Sequence, residues 1–238
     1  MSSVIKMKNG FCFLQILLIG VIGCSKDDTS VEKKPVEYSF DFASGTQEWV
    51  GDFADYPVGA ESSYELGFNH SILPLPLDQN KNSLRQSGNN HSDDLFMFIK
   101  HKITGLAANQ TYQVTFNIQI ATNAHDYSVG VGGSPANDVT VKAGMTQKEP
   151  VKEADEMGYY RMNIDKSNQG TGGADMVVIG DCANGTDEDI YTLKDLCNKD
   201  PFQVKTDKNG ELWTVIGTDS GFEGITTIFY NKISIKLE

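Results

Sequence analysis

Basic residues are scarce: 20 lysines and arginines stand against 32 acids in 238 residues, and Arg85 and Arg161 are the two arginines. Gripping nucleic-acid phosphates takes clustered positive charge, so nucleic acid is excluded as a partner. The same balance argues against anionic lipid headgroups. The four histidines, His70, His91, His101 and His125, fall at no metal spacing, and there are only four cysteines, so a zinc centre has no motif. No apolar run reaches the roughly 20 residues of a membrane-spanning helix. Phe11 to Ile22, behind Lys6 and Lys8, has the length of a signal-peptide core instead. Helical spacing occurs only in Asp187 to Leu196, through Ile190, Leu193 and Leu196, and that segment reads equally as an edge strand. No internal repeat is present, and no linker follows Pro35.

What is present begins at Cys24. Val21-Ile22-Gly23-Cys24 resembles a bacterial lipobox, which implies cleavage before Cys24 and its acylation. Several acyl chains on one residue make a firm anchor, at about 0.8 kcal/mol per buried methylene. Ser25-Lys26-Asp27-Asp28 is similar to the surface-export signal of Bacteroidetes lipoproteins, which implies display on the outer face of the outer membrane. Ser25 to Val36 is polar and reads as a flexible tether. The expected organisation is a signal peptide over 1–23, a lipidated tether over 24–37 and one domain over 38–238. Removing Lys6 and Lys8 with the leader leaves 18 basic and 32 acidic residues. Cys12 leaves with the leader and Cys24 is acylated. Cys182 and Cys197 remain, in an oxidising compartment, and are expected to form one disulfide.

The pattern is all-β. Tyr112, Val114, Phe116, Ile118 and Ile120 alternate with polar residues, the mark of a strand with one buried face. Leu95 to Ile99 is continuously apolar and suits a strand covered on both sides. Thr227 to Leu237 shifts phase between Tyr230 and Ile233, which predicts a bulge. Phe202–Thr206 and Leu212–Ile216 flank Asp207-Lys208-Asn209-Gly210 and predict a hairpin. Further strands are expected over 38–42, 49–53, 64–68, 128–131, 139–142, 159–164 and 176–179. Together with 23 glycines and frequent turns, this fits a two-sheet jelly-roll sandwich, galactose-binding-like, with long loops.

Three phrases carry a resemblance. Phe40 to Trp49 opens the domain, Ile103 to Phe116 lies mid-chain, and Phe229 to Ile235 lies near the end. They resemble the jelly-roll carbohydrate-binding modules of xylanases and cellulases, and imply that fold and a polysaccharide or glycan partner. Asn231 stands where that family often has Asp. Gly51 to Gly59, Ser92 to Phe98, Asn163 to Gly170 and Gly217 to Gly224 are also similar to a group of secreted bacterial proteins with no function attached.

Sugar sites combine flat aromatic faces with short polar groups. The candidate ligand residues are Trp49, Tyr56 and Trp213, with the loop acids Asp93, Asp94, Asp219 and Glu223. Trp49 and Trp213 read equally as core. Asp165, Asn168 and Asp181 lie in oxygen-rich loops that suit either a structural calcium ion or ordinary Asx turns. Thr218-Asp219-Ser220-Gly221 is a fragment of a serine-protease phrase without the context catalysis needs. The expectation is a surface lipoprotein that binds glycan without cleaving it and serves a neighbouring uptake system. The alternatives are a polysaccharide-cleaving jelly-roll enzyme and a structural or adhesive surface protein. With two arginines, the chain is poorly equipped to attract acidic sugars for lyase chemistry.

Overall fold

The computed structural model describes residues 34–91 and 94–238. The leader, Cys24 and most of the tether lie outside the described residues, as does Asp93. The described residues form strands and no helix. In chain order these are β1 Val36–Phe40, β2 Val50–Ala54, β3 Tyr56–Pro57, β4 Gly67–Ile72, β5 Asn82–Asn89, β6 Leu95–Ile103, β7 Thr111–Thr122 and β8 Val139–Thr146. They continue as β9 Lys152–Ala154, β10 Tyr159–Met162, β11 Met176–Asp181, β12 Thr192–Cys197, β13 Phe202–Lys205, β14 Leu212–Ser220 and β15 Ile225–Leu237.

A seven-stranded sheet runs β12-β7-β15-β5-β4, with β1 on β15 and β13 on β7. A five-stranded sheet runs β11-β8-β14-β6-β2. Every pairing in both is antiparallel. The alternating side chains of β7 enter one core with Ile233, Ile235 and Leu237 of β15 and Val139, Val141, Ala143 and Met145 of β8. Period-two alternation places these residues on the inner faces, which makes the architecture a β-sandwich, as expected. Each fully buried large side chain contributes roughly 1.5–3 kcal/mol.

β6 is buried on both sides, as its unbroken apolar run predicts. Ile99 and Ile103 enter the main core, while Phe96 and Phe98 pack outward against Ile164, Met176 and Val215. A small third sheet, β3-β10-β9, was not anticipated. The bulge in β15 falls between Tyr230 and Lys232, where the register against β7 shifts.

Three expectations fail. Phe202–Lys205 and Leu212–Ser220 do not form a hairpin: β13 pairs with β7, whereas β14 pairs with β6 and β8 in the other sheet. The turn between them is a corner connecting the sheets. Asp207 Oδ1 accepts from the backbone N–H of Asn209 (2.9 Å) and Glu211 (2.8 Å), and Gly210 takes φ 73°. The expected strand at 128–131 is a loop, touching the sheet system through one Val131–Glu223 bridge. Cys182 and Cys197 are both free. Cys182 belongs to the core, whereas Cys197 is exposed opposite Asn117 on the outer side of the seven-stranded sheet. Separation by the sheet prevents their pairing. Burial pushes the Cys182 thiol up to about 12, so it is an inert core group.

Candidate functional site: two outer faces of the sandwich

The five-stranded sheet carries an outer face of mixed character: Phe96 and Phe98 of β6, Lys142 of β8, and Val215 and Asp219 of β14. Segment 163–175 folds over it. Asp165 and Asp175 cinch this segment, Asp175 N–H donating to Asp165 O (2.9 Å) and Asp165 N–H to Asp175 Oδ2 (2.8 Å). Gly144 of β8 lies directly under the Asp175 carbonyl, where any Cβ would collide. The close approach carries Lys166 down onto the sheet.

An ion centre results. Lys142 Nζ, fully buried, donates to Asp219 Oδ2 at 2.7 Å and to the Lys166 carbonyl at 3.0 Å. Lys166 Nζ donates to the same Asp219 oxygen at 2.8 Å and lies 2.9 Å from Asp55 Oδ2. Arg161 Nη1 bridges Asp55 Oδ1 (3.0 Å) and Asp94 Oδ2 (3.1 Å). Asp55 turns inward between β2 and β3 with φ 62°, a conformation aspartate tolerates better than most residues. Burial lowers the pKa of Lys142, and Asp219 offsets only part of that effect. Burial also opposes the charge on Lys166, but Asp219 and Asp55 together outweigh it, so its pKa is raised. Burial, then the nearby Asp55 charge, pushes the Asp94 carboxyl up to about 6.

Asp55, Asp94 and Asp219 place oxygens within 4.8 Å of one another. Two lysines and an arginine already balance these three acids. Lys166 holds the position between Asp55 and Asp219 that a bound cation would compete for. The centre borders a cavity of about 390 Å³ lined by Tyr159, Arg161, Asn168 and Gln169. Asp55 lies buried beneath Arg161, so the Asp55–Asp94 pair cannot close on a glycosidic bond from both sides.

The opposite outer face, on the seven-stranded sheet, is open. A groove of about 740 Å³ lies on it, with Asp41, Gln47, Asn80 and Lys81 among its lining residues. Its floor holds Gln119 of β7 and Lys232 of β15, which face each other in register. Asn231, the extra residue of the bulge, donates from Nδ2 to Gln119 Oε1 at 2.6 Å. Gln119 Nε2 donates onward to Asp195 Oδ1 at 2.8 Å. A second cavity of about 320 Å³ adjoins, sharing Gln119 and Lys232 and adding Asn117, Asp195 and Ser234. The arrangement is a hydrogen-bonded row of two amides and a carboxylate, with no aromatic side chain among the lining residues.

Most predicted ligand residues lie elsewhere. Trp49 is 1% exposed, stacked on His101 at 5.2 Å with Phe40 at its edge; it is core. Tyr56 is fully buried rather than in an open loop, because β3 pairs with β10; its hydroxyl accepts from Lys152 Nζ at 2.8 Å. Trp213 is half-buried, and Lys100 and Lys102 lie 5.6 and 6.0 Å from its ring, so its face is already occupied. Asp219 lies on a strand between two lysines and is closed to ligand. Asp94 joins the ion centre at its cavity side, and Glu223 is half-buried in the turn before β15. Asp165 accepts from the backbone N–H of Ser167 (3.0 Å) and Ala174 (2.9 Å), which holds its pKa low. Asp181 pairs with Lys194, and Asn168 is exposed beside the Asp94 cavity. Asp165 thus bonds within its own loop and Asp181 meets Lys194 of β12, while the close group of acids is Asp55, Asp94 and Asp219.

No protein-family model matches the sequence, and no curated protein matches it. Among solved structures, the chain is similar to a carbohydrate-binding module from the β-sandwich superfamily, with 12% identity and a TM-score of 0.41 over 82% of this chain and 59% of that one. It therefore spans less than two thirds of that protein's length. It is also similar to TmCBM27, a module described for mannan recognition, with 8% identity and a TM-score of 0.39 over 87% and 99% of the two chains. The K1 cleaved adhesin domain of Lys-gingipain from Porphyromonas gingivalis W83 gives 8% identity and a TM-score of 0.38 over 85% and 98%. The sandwich is defined here by its own strand pairings rather than by these likenesses.

Proposed function

We propose that this chain is a surface-anchored lipoprotein that binds carbohydrate without cleaving it. The observation that carries the binding reading is the polar groove across the seven-stranded sheet. Sugar hydroxyls need paired donors and acceptors at close spacing, and side-chain amides supply both. Asn117, Gln119, Asn231 and Asn80 give four amides along one face, with Lys81 and Lys232 as added donors. With no stacking ring among the lining residues, each sugar contributes little, and a polymer spanning both cavities suits the groove better than a single sugar. The absence of an approachable carboxylate pair at the Asp55–Asp94 site supports binding over hydrolysis. The lipobox at Val21 to Cys24 and the charged tether support the anchored location, with an uptake system as neighbour.

Affinity electrophoresis of the full chain in gels cast with neutral polysaccharides tests the binding. Retention on at least one is expected, with Gln119→Ala plus Lys232→Ala retarding migration about tenfold less. A folded chain that migrates unretarded in every gel overturns the reading. Mass spectrometry of the membrane-extracted protein tests the anchor: an N-terminal Cys24 carrying acyl chains is expected.

A further inference from the structure

A third surface lies at the end of the sandwich where β14 stops and β15 starts. Val36 pairs with Leu237 at the far end of β15, about 40 Å away at roughly 3.3 Å per residue. The loop between β7 and β8 is held to this end by Asp126 N–H donating to Thr186 O (2.9 Å) and Glu223 N–H donating to Val131 O (2.8 Å). Gly130 packs against the Phe222 ring so closely that a Cβ would not fit. Thus fixed, the loop presents Tyr127 (81% exposed), Val129 (91%) and Val131 (68%), with Ile225 (60%) beside them. A contiguous group of large apolar side chains held in water marks an interaction surface rather than ordinary scatter.

Beside this ridge is a cavity of about 320 Å³ with Pro135, Phe222, Ile225 and Asp189 among its walls. Around both run Asp126, Asp187, Glu188, Asp189 and Glu223. Among the described residues no lysine or arginine pairs with any of the five; the His125 ring lies beside them, its Nε2 3.8 Å from Asp189. The ion centre under segment 163–175 is balanced internally, but this rim is not.

We propose that this end docks a protein segment bearing lysine or arginine on either side of one exposed apolar side chain. The apolar side chain fills the cavity beside Phe222 and Ile225, and the flanking cations meet the acidic rim. Charge decides among occupants. A second copy of this chain would bring the same uncompensated acids into contact, and a phosphate-headed lipid surface would be repelled. This surface is separate from the groove, and the inference does not depend on the carbohydrate reading.

The test uses the full chain in detergent micelles and a labelled peptide of alternating lysine and leucine, read by fluorescence anisotropy. Saturable binding is expected, weakening as salt rises. The triple variant Asp187→Asn/Glu188→Gln/Asp189→Asn should bind about tenfold more weakly, and so should Val129→Ser/Val131→Ser. These residues are exposed, and circular dichroism should show both variants folded. Neutralising three acids elsewhere, Glu37→Gln/Glu153→Gln/Glu156→Gln, should leave affinity unchanged, which separates the rim from net charge. Absence of binding, equal binding of a glutamate–leucine peptide, or equal loss in the Glu37/Glu153/Glu156 variant overturns the proposal. So does concentration-dependent dimerisation, or adsorption to phosphatidylcholine vesicles, that the Val129→Ser/Val131→Ser change abolishes.

Discussion

The two outer faces of this sandwich are built alike and finished differently. Both are antiparallel sheets whose inner sides share one apolar core. The face of the five-stranded sheet is roofed by segment 163–175, and polar residues caught there must neutralise one another. Lys142, Lys166, Asp55 and Asp219 do so within bonds of 2.7 to 2.9 Å. The face of the seven-stranded sheet has no roof along the groove, and its Gln119 and Lys232 stay available to solvent or ligand, with the buried Asn231 bonded behind Gln119. A polar row under a roof becomes a structural lock, whereas the same kind of row in the open becomes a binding surface. Removing a partner should therefore destabilise the first face and weaken binding at the second.

The largest effect is expected at the lock. Asp219→Asn leaves the buried Lys142 ammonium without a carboxylate and should lower unfolding free energy by about 3–5 kcal/mol, measured by urea denaturation. Replacing the pair together, Lys142→Met with Asp219→Leu, should recover most of that loss, because Lys166 keeps Asp55. Failure of the double change to recover any stability would mean that the pair contributes more than mutual neutralisation.

Next in size is the open face. Gln119→Ala with Lys232→Ala should lose about 1.4 kcal/mol of polysaccharide affinity, the tenfold change above. Unfolding free energy should stay within about 0.5 kcal/mol of the parent protein. A large stability loss without a binding loss would place this face with the lock.

A smaller effect comes from the fringe of the ion centre. The Asp94 pKa is pushed up to about 6, above its ordinary unfolded value of 3.8. Between those values the folded protein holds a proton that the unfolded chain has released. Asp94 thus contributes stability that is fully present below about pH 4 and is lost as pH rises through about 6. Asp94→Asn should remove that slope. The difference in unfolding free energy between acid and neutral pH should change by about 1 kcal/mol, discounted for the solvent that reaches the side chain. Asp155, Asp165 and Asp207, held low by backbone N–H donors, slope the other way and are common to both proteins.

The smallest effect separates the faces in another way. Cys182 lies in the core and Cys197 on the open face, so adding reductant should leave the melting temperature unchanged in calorimetry. A fall of several degrees would show that they pair.

The strands readable in the sequence are those with one polar and one apolar side. β7 alternates from Thr111 to Ile120, and the phase shift in β15 marks its bulge. β5 was missed because its inward residues are not apolar throughout. Gln86 is fully buried and donates across the sandwich to the Asp52 carbonyl (3.0 Å) and the Phe98 carbonyl (2.9 Å). Its partners lie in another sheet, so nothing local marks it as core. The turn at Asp207 to Gly210 reads as a hairpin because turn chemistry is local, whereas the choice of sheet on either side is not. The acids at Asp94 and Asp219 drew notice as loop residues, but their meaning depends on Lys142, Lys166 and Arg161, each of which reads alone as a solvated charge. Gln119 and Lys232 gave no signal, since outward polar residues on a strand are the ordinary case.

Alternation alone determined that this chain is an all-β sandwich, because a period-two apolar stripe can be buried only by pairing strands and packing two sheets face to face. Which outward-pointing polar residues would be sealed and which left open was decided by tertiary structure. That outcome rests on where one distant loop comes to lie, and the free energy of a charge depends on the groups brought around it rather than on its neighbours in sequence.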